Sequence, residues 1–459
     1  MIIMYEAILN KLGLFWIEED EENQFQGMLA KNNNNFSFTT LNENFEEDDD
    51  FILINGVIYN HKISFLIINY PIETTNSYCA KKASSEKTFL IYYLFEGIHF
   101  NNVENIKFRN ITLKIDNISS SIELPKLKYE FQKEKPLTVL ETEDILIELN
   151  DFNLRIKSDF FDSETNLGNG KSIKIEEEIQ VIIEYYKEQN VDRIIKDIKT
   201  IENLFTFLTG NSNVLEIYEA KDFGNIYMEL PIYSTESNNK RNYRAITINK
   251  ENIEKIFKKW FDFYEHFELY YSVDNNINTS TLFLTYAQII ESYHRKRYDG
   301  LYVEEEKFKA VSKKIYDYIK KSDEINDLDI SKHDKGRLKG RIHNSIYYSY
   351  EYSLKDRLTE LFNELGEYYK FKEILKKYPS DDDEKAIDEF CKIVKSTRNY
   401  YTHYGTKENE VVEGKELIEL NNALEIIINL IILRDLGFDE DEINEITREH
   451  PNFQILTIF

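Results

Sequence analysis

Cysteine, proline and glycine are all scarce in this chain, and each scarcity removes a class of protein. The two cysteines, Cys79 and Cys391, stand far apart, so neither a disulfide framework nor a cysteine-rich metal site can be built from them. A reducing cytoplasm suits such a chain. Six prolines and fifteen glycines in 459 residues leave little material for long flexible linkers. Positive charge is short as well: 57 lysines and arginines face 83 aspartates and glutamates, a net of −26. That balance argues against a general polyanion binder, but leaves room for an enzyme that handles nucleic acid in a locally basic groove. No apolar run is long enough to cross a bilayer. Ala423–Leu433 is interrupted by Glu425 and Asn429 and reads as a buried helix. The amino end, Met1–Ile17, contains Glu6 and Lys11 and lacks a small-residue cleavage site, so it does not read as a signal peptide.

Familiar chemical motifs are missing too. Gly168–Ser172 resembles the end of a phosphate-binding loop, but the glycine required five positions before Gly170 is replaced by Thr165. The segment reads as a loop between a strand and a helix. The eight histidines are scattered, with no paired-histidine zinc helix and no Gly-x-Ser-x-Gly elbow. The acidic clusters at Glu18–Glu22, Glu46–Asp50 and Asp381–Asp383 lack the interleaved ligands of a cation loop and read as solvated. Neither a metal nor a cofactor is expected.

What is present is ample core material, with 42% hydrophobic and 14% aromatic residues, in a chain long enough for two or three domains. Short alternating runs predict strands at Phe25–Ala30, Phe36–Leu41, Phe51–Tyr59, Ile63–Tyr70, Thr88–Phe95, Asn105–Ile115, Leu137–Glu148 and Phe152–Ile156. Asn60-His61-Lys62 reads as the turn of a hairpin. The period changes near Lys171. Ile179, Ile182, Ile183 and Tyr186, then Ile194, Ile198, Ile201, Leu204, Phe205 and Leu208, predict two helices ending at Gly210. Strand character returns at Val214–Tyr233 and Tyr243–Ile248, and from Asn252 onward the chain reads as helical. The expected fold class is α+β: an antiparallel β-rich domain at 1–250, with a helical insertion near 176–210, followed by an all-α bundle at 251–459 with its core at about 280–440.

One segment of the helical half carries chemistry. Phe390, Ile393, Val394, Thr397, Tyr401 and Tyr404 fall on one side of a helix that Gly405 could end in a left-handed conformation. His403 then sits in the last turn, where the negative end of the helix favours an imidazolium. Arg398 always keeps its proton and presents a fork matched to phosphate. Together they suit phosphodiester cleavage, the arginine holding the phosphate and the histidine moving a proton. Spacing alone does not select this pair, because Arg337 and His343 stand at a similar interval. Residues five apart on an ideal helix are rotated by about 140° and rise about 7.5 Å, so Arg398 and His403 do not share a face. The arginine must curl back, the helix must loosen, or a second subunit must complete the site.

The residues around the first pair resemble a known family. The HEPN superfamily carries arginine, a polar residue, three to five others and then histidine. Asn399 follows Arg398 in that manner, whereas Leu338 follows Arg337. The string Ile393–Tyr404 resembles the HEPN domain of ApeA-like bacterial anti-phage proteins, and Leu284–Arg295 resembles the first helix of that family's catalytic region. Phe257–Phe267, Asn203–Gly210 and, in the β-rich part, Phe15-Trp16, Gly27-Met28-Leu29 and Ile54-Asn55-Gly56 are similar to it as well. The resemblance implies a helical bundle, a homodimer with two motifs facing each other, and metal-independent RNA cleavage in abortive anti-phage defence. The RNA 2′-hydroxyl would attack, leaving a cyclic phosphate. It also implies an acidic residue from an earlier helix, matched here by Glu291, that orients His403 or Arg398. A phage-derived trigger for the β-rich domain follows from the same resemblance, and no membrane partner does.

Two further groups are candidates for binding RNA. His294 and Arg295 directly follow Glu291. Lys332, Lys335, Arg337, Lys339 and Arg341 crowd a stretch with Asp334 as its one acid. The competing functional reading is a HEPN scaffold without catalysis that binds nucleic acid or protein.

Overall fold

The computed structural model describes residues 8–453 except 33–34, 42–44, 46–50, 80–81, 123–128, 131–137, 140–143, 168–169, 211–213, 222–223, 230–244, 274–276, 379–381, 404, 406 and 451–452. The chain divides into two compact units, Met1–Lys258 and Lys259–Phe459.

In the first unit six antiparallel strands close into a ring. They are β1 (Leu12–Ile17), β2 (Phe25–Asn32), β3 (Asn35–Leu41), β4 (Phe51–Ile58), β5 (His61–Cys79) and β6 (Lys82–Glu96), hydrogen-bonded in the order β6-β3-β2-β1-β4-β5 and back to β6. Tyr59 and Asn60, at φ 48° and 70°, make the two-residue turn between β4 and β5, one residue earlier than the sequence suggests. Phe15, Phe38 and Phe65 meet inside the ring with centroids 4.9 to 5.7 Å apart. Gly27 and Gly56 are needed there, because a Cβ would stand 2.3 Å from Phe38 and 2.1 Å from Phe15.

The sheet continues outward from β6 through β14 (Gly224–Glu229), β13 (Val214–Lys221), β7 (Lys107–Ile115), β12 (Gly170–Asn190), β11 (Phe152–Leu167) and β10 (Ile145–Glu148). A separate two-stranded pair joins β8 (Tyr129–Glu130) to β9 (Thr138–Val139). Helix α1 (Val191–Thr209) packs against this outer sheet and buries Ile194, Ile198, Ile201, Leu204, Phe205 and Leu208. Asn190 caps its start, and Gly210 ends it in the left-handed region at φ 78°.

The expected helix over 176–190 is instead strand β12. Ile179, Val181, Ile183 and Tyr185 are all buried, the period-two pattern of one strand face, and β7 and β11 flank them on either side. The positions 179, 182, 183 and 186 satisfy helical spacing as well, and pairing with β7 and β11 decides between the two. Leu167 therefore pairs with Gly170 across a hairpin, so Gly168–Ser172 does not connect a strand to a helix. Strand character at Tyr243–Ile248 also fails: within it the described residues make a single bridge, from Ile248 to Ile122.

The second unit is helical. Its elements are α2 (Lys250–Phe263, within which the division falls), α3 (Glu268–Tyr271), α4 (Thr279–Arg297), α5 (Glu305–Lys321), α6 (Asp323–Asn326), α7 (Lys332–Tyr347), α8 (Leu354–Leu365), α9 (Tyr369–Leu375), α10 (Asp383–His403), α11 (Gly414–Leu436) and α12 (Glu440–Glu449). Helix α11 is apolar nearly all round and buries every residue from Ile426 to Leu433, as a central helix must. Against it lies α4, tied by Tyr293 Oη donating to Asp435 and by the Asn421 amide donating to the Thr279 carbonyl. Helix α10 packs on α4 and α8, with the Phe362 and Phe390 rings 5.5 Å apart.

Candidate active site

Helix α10 buries Phe390, Val394 and Thr397 and stays regular through His403. Its end is fixed from the far side. Ser396 Oγ donates to Glu408 at 2.7 Å, and the Val412 amide donates to Thr397 Oγ1 at 3.2 Å. Gly405 is not in the left-handed region, so the helix stops at His403 without the glycine cap that its sequence suggests.

Arg398 turns from α10 toward α4. There Leu284, Gln288, Glu291, Ser292 and Arg295, spaced three and four apart, present one face, and with Arg398 and Thr402 they line a cavity of about 460 Å³. Arg398 Nη2 lies 3.5 Å from Glu291 Oε2, and Nη1 donates to the neighbouring Asn399 Oδ1 at 3.4 Å. Glu291 thus lies against Arg398, one of the two residues it was expected to orient, and Asn399 meets the same guanidinium. The other oxygen of Glu291 accepts from Arg295 Nε and Nη2 at 3.2 and 3.1 Å. One carboxylate therefore holds two guanidinium groups in one cavity.

A network centred on two buried residues, His294 and Arg357, supports this pair from behind. Glu351 Oε2 accepts from Arg295 Nη1 at 2.8 Å and from Arg357 Nη2 at 3.3 Å. Arg357 is 2% exposed, and its Nη1 donates to His294 Nδ1 at 3.3 Å. The opposite nitrogen of His294, Nε2, is 2.7 Å from Glu360. Burial lowers the pKa of His294, so the imidazole is neutral, accepts from Arg357 on Nδ1 and donates to Glu360 from Nε2. His294 is fully buried and stacked on Tyr298. Contrary to the expectation from its place after Glu291, it does not line the cavity beside Arg295, and it props the wall instead.

His403 is exposed, and it is Thr402 rather than His403 that lines the cavity. The five-residue offset on a regular helix accounts for this separation. Of the basic stretch on α7, none lines the cavity. Lys335 and Lys339 donate to the carbonyls of Asn326 and Lys320, while Lys332, Arg337 and Arg341 are exposed. His343 packs against Tyr316 with centroids 4.2 Å apart, and neither it nor Arg337 lines the cavity. The sequence reading missed Gln288, Ser292 and Thr402, which helical spacing from Glu291 and Arg398 could have found. It also missed Glu351 and Arg357, for which no local signal exists.

Two family models match the chain. Residues 10–263 match the ApeA N-terminal domain 1, and residues 284–442 match the Apea-like HEPN domain. The chain belongs to the ApeA family. No curated protein and no solved structure matches it. ApeA-like HEPN proteins are an anti-phage defence nuclease family, and HEPN domains are in general ribonucleases. The whole cavity of this ApeA-family chain falls inside the HEPN match. Among the described residues no helix is long and apolar enough to cross a membrane.

Proposed function

We propose that this ApeA-family chain is a metal-independent endoribonuclease of abortive anti-phage defence, acting in the cytoplasm as a homodimer. The carrying observation is the cavity in which Glu291 holds both Arg398 and Arg295. Two guanidiniums in one cavity suit a phosphodiester, which offers two non-bridging oxygens to bidentate donors. Arg398 binds the scissile phosphate, with Asn399 and Glu291 fixing its fork, and Arg295 contacts the same or the adjacent phosphate. The 2′-oxygen of RNA attacks phosphorus, the bond to the 5′-oxygen breaks, and a cyclic phosphate and a 5′-hydroxyl result. One proton leaves the 2′-hydroxyl and one reaches the 5′-oxygen, and His403 is the group suited to exchange them. Because His403 stands outside the cavity of its own chain, the working site pairs the cavity of one copy with the histidine of a second. The β-rich unit senses a phage-derived trigger.

The exposed position of His403 also favours a second reading, a HEPN scaffold that binds RNA or protein without cutting. Incubating purified protein with total RNA and mapping the new ends separates the two. Ends bearing cyclic phosphate, absent with His403→Ala, support the nuclease. Intact RNA in the presence of phage lysate supports the scaffold.

A further inference from the structure

Helices α5 and α7 form an antiparallel hairpin that the packing of the bundle does not explain. Not one residue of α7 is buried, and in α5 only Ser312 is. The two helices hold each other through Tyr316 on His343 and through Lys339 on the Lys320 carbonyl. Their charge sets them apart from the rest of the chain. Over 305–321 and 332–347 there are eleven lysines and arginines against four acidic residues, a net of +7 in a chain whose total is −26. Everything else in the chain therefore sums to −33.

Elsewhere in this unit several cations pair with acids on their own helices, as Lys392 does with Asp388 and Arg295 with Glu291. On the hairpin that pattern holds only at its base, for Lys307 with Glu304 and Lys309 with Glu305. Beyond the base, Lys313, Lys314, Lys320 and Lys321 on α5 are exposed with no acidic partner among the described residues, as are Lys332, Arg337 and Arg341 on α7. A merely solvated face needs no such excess of one sign. Lys314, Tyr318 and Lys321 lie at i, i+4 and i+7 and so share a stripe, and Tyr318 is 72% exposed. A cation row with an open aromatic ring between its members is the arrangement that tracks a phosphate backbone while stacking a base. The acids Asp323, Glu324, Asp327 and Asp329 gather at the turn between the helices and confine such a ligand to the flanks of the hairpin.

We propose that the α5–α7 hairpin is an RNA-binding arm, which grips the phosphate backbone of single-stranded RNA over the roughly 25 Å length of α5. The site lies outside the cavity, since none of these residues lines it. The ribonuclease reading supplies the choice of RNA, while the charge and exposure of the arm stand without it.

The test is equilibrium binding of a labelled single-stranded RNA to the full chain carrying His403→Ala, followed by fluorescence anisotropy across a salt series. The quadruple variant Lys313→Gln, Lys314→Gln, Lys320→Gln, Lys321→Gln and the double variant Arg337→Gln, Arg341→Gln should each bind about 10- to 100-fold more weakly at low salt. The slope of log affinity against log salt should fall by about 0.7 for each lost phosphate contact. Tyr318→Ala should weaken binding without changing that slope. A control, Lys376→Gln with Lys385→Gln, should bind like the parent. Unchanged affinity and slope in the hairpin variants overturns the proposal. So does a variant that changes the oligomeric state and leaves RNA binding intact. If the wild-type chain proves unable to cut RNA, the cleavage reading fails while these binding outcomes still decide the role of the arm.

Discussion

Arg357 is a buried charge on which two polar neighbours depend. It is buried to 2% exposure between Glu351 and His294, and removing it leaves the Glu351 carboxylate and the His294 ring facing a void. Arg357→Ala should destabilise the unit by about 3–5 kcal/mol, read as a lower midpoint in chemical denaturation. Gly300→Ala should act through the same residue. Gly300 sits at φ +57°, and a Cβ there would lie 2.4 Å from Arg357 Nη1, so a loss of about 1–3 kcal/mol is expected. Arg398→Ala differs in kind. Its side chain is 35% exposed and makes one long ion pair, so stability should change by less than about 1 kcal/mol. RNA cleavage, by contrast, should fall at least about 100-fold. A thermal melt and a gel assay on the same protein separate these effects. At this scale the contact of Arg398 with Asn399 and Glu291 was legible, since the motif names the first two and the family resemblance supplies the third. The division of labour between His294 and Arg295 was not. The two are successive residues on one helix, and which one faces inward is decided by Glu360 and Glu351, far along the chain.

Strand β12 shows how much a single element can hide. Its apolar residues satisfy both the period of a helix and the period of a strand, and only the partners β7 and β11 resolve the ambiguity. Helices α1, α10 and α11 were legible because their apolar stripes are long and unbroken. The ring formed by β1 to β6 was not, since closure depends on β5 returning to β6, a pairing that alternation along either strand leaves open. The end of α12 carries a testable pH dependence. His450 is its buried C-cap, and burial lowers its pKa from an ordinary 6.5 to about 4. A histidine depressed in the fold but ordinary when unfolded costs nothing above pH 6.5. Below that the unfolded chain binds the extra proton, and stability falls as the pH drops toward 4. The full difference is about 3 kcal/mol. The melting temperature should therefore decline between pH 7 and pH 5, and His450→Gln should flatten part of that decline. His294 and His266, also lowered by burial, should retain the remainder.

For the molecule as a whole, the separation of Arg398 from His403 makes a prediction about pairs of chains. Neither Arg398→Ala nor His403→Ala should cut RNA alone. Mixed and allowed to exchange subunits, they should recover about a quarter of wild-type activity, because half the dimers are mixed and each holds one intact site. No recovery despite demonstrated exchange would mean that each chain must assemble its own site. Cleavage by the wild type should persist in EDTA, and its loss there would reveal a metal requirement.

Glu291 gives the assembled molecule a threshold. A phosphodiester entering the cavity does not meet a bare cation. It meets an arginine already paired at 3.5 Å with a carboxylate that Arg295 shares, in a chain that is itself strongly anionic. Exchanging one anion for another gains little by electrostatics, so a stray RNA strand finds only a shallow well. Because Arg295 competes for the same carboxylate, a small shift of Glu291 toward Arg295 would release Arg398 without breaking the network behind it. On the ribonuclease reading proposed above, the cavity wall itself then contains the anion that holds the activity in check.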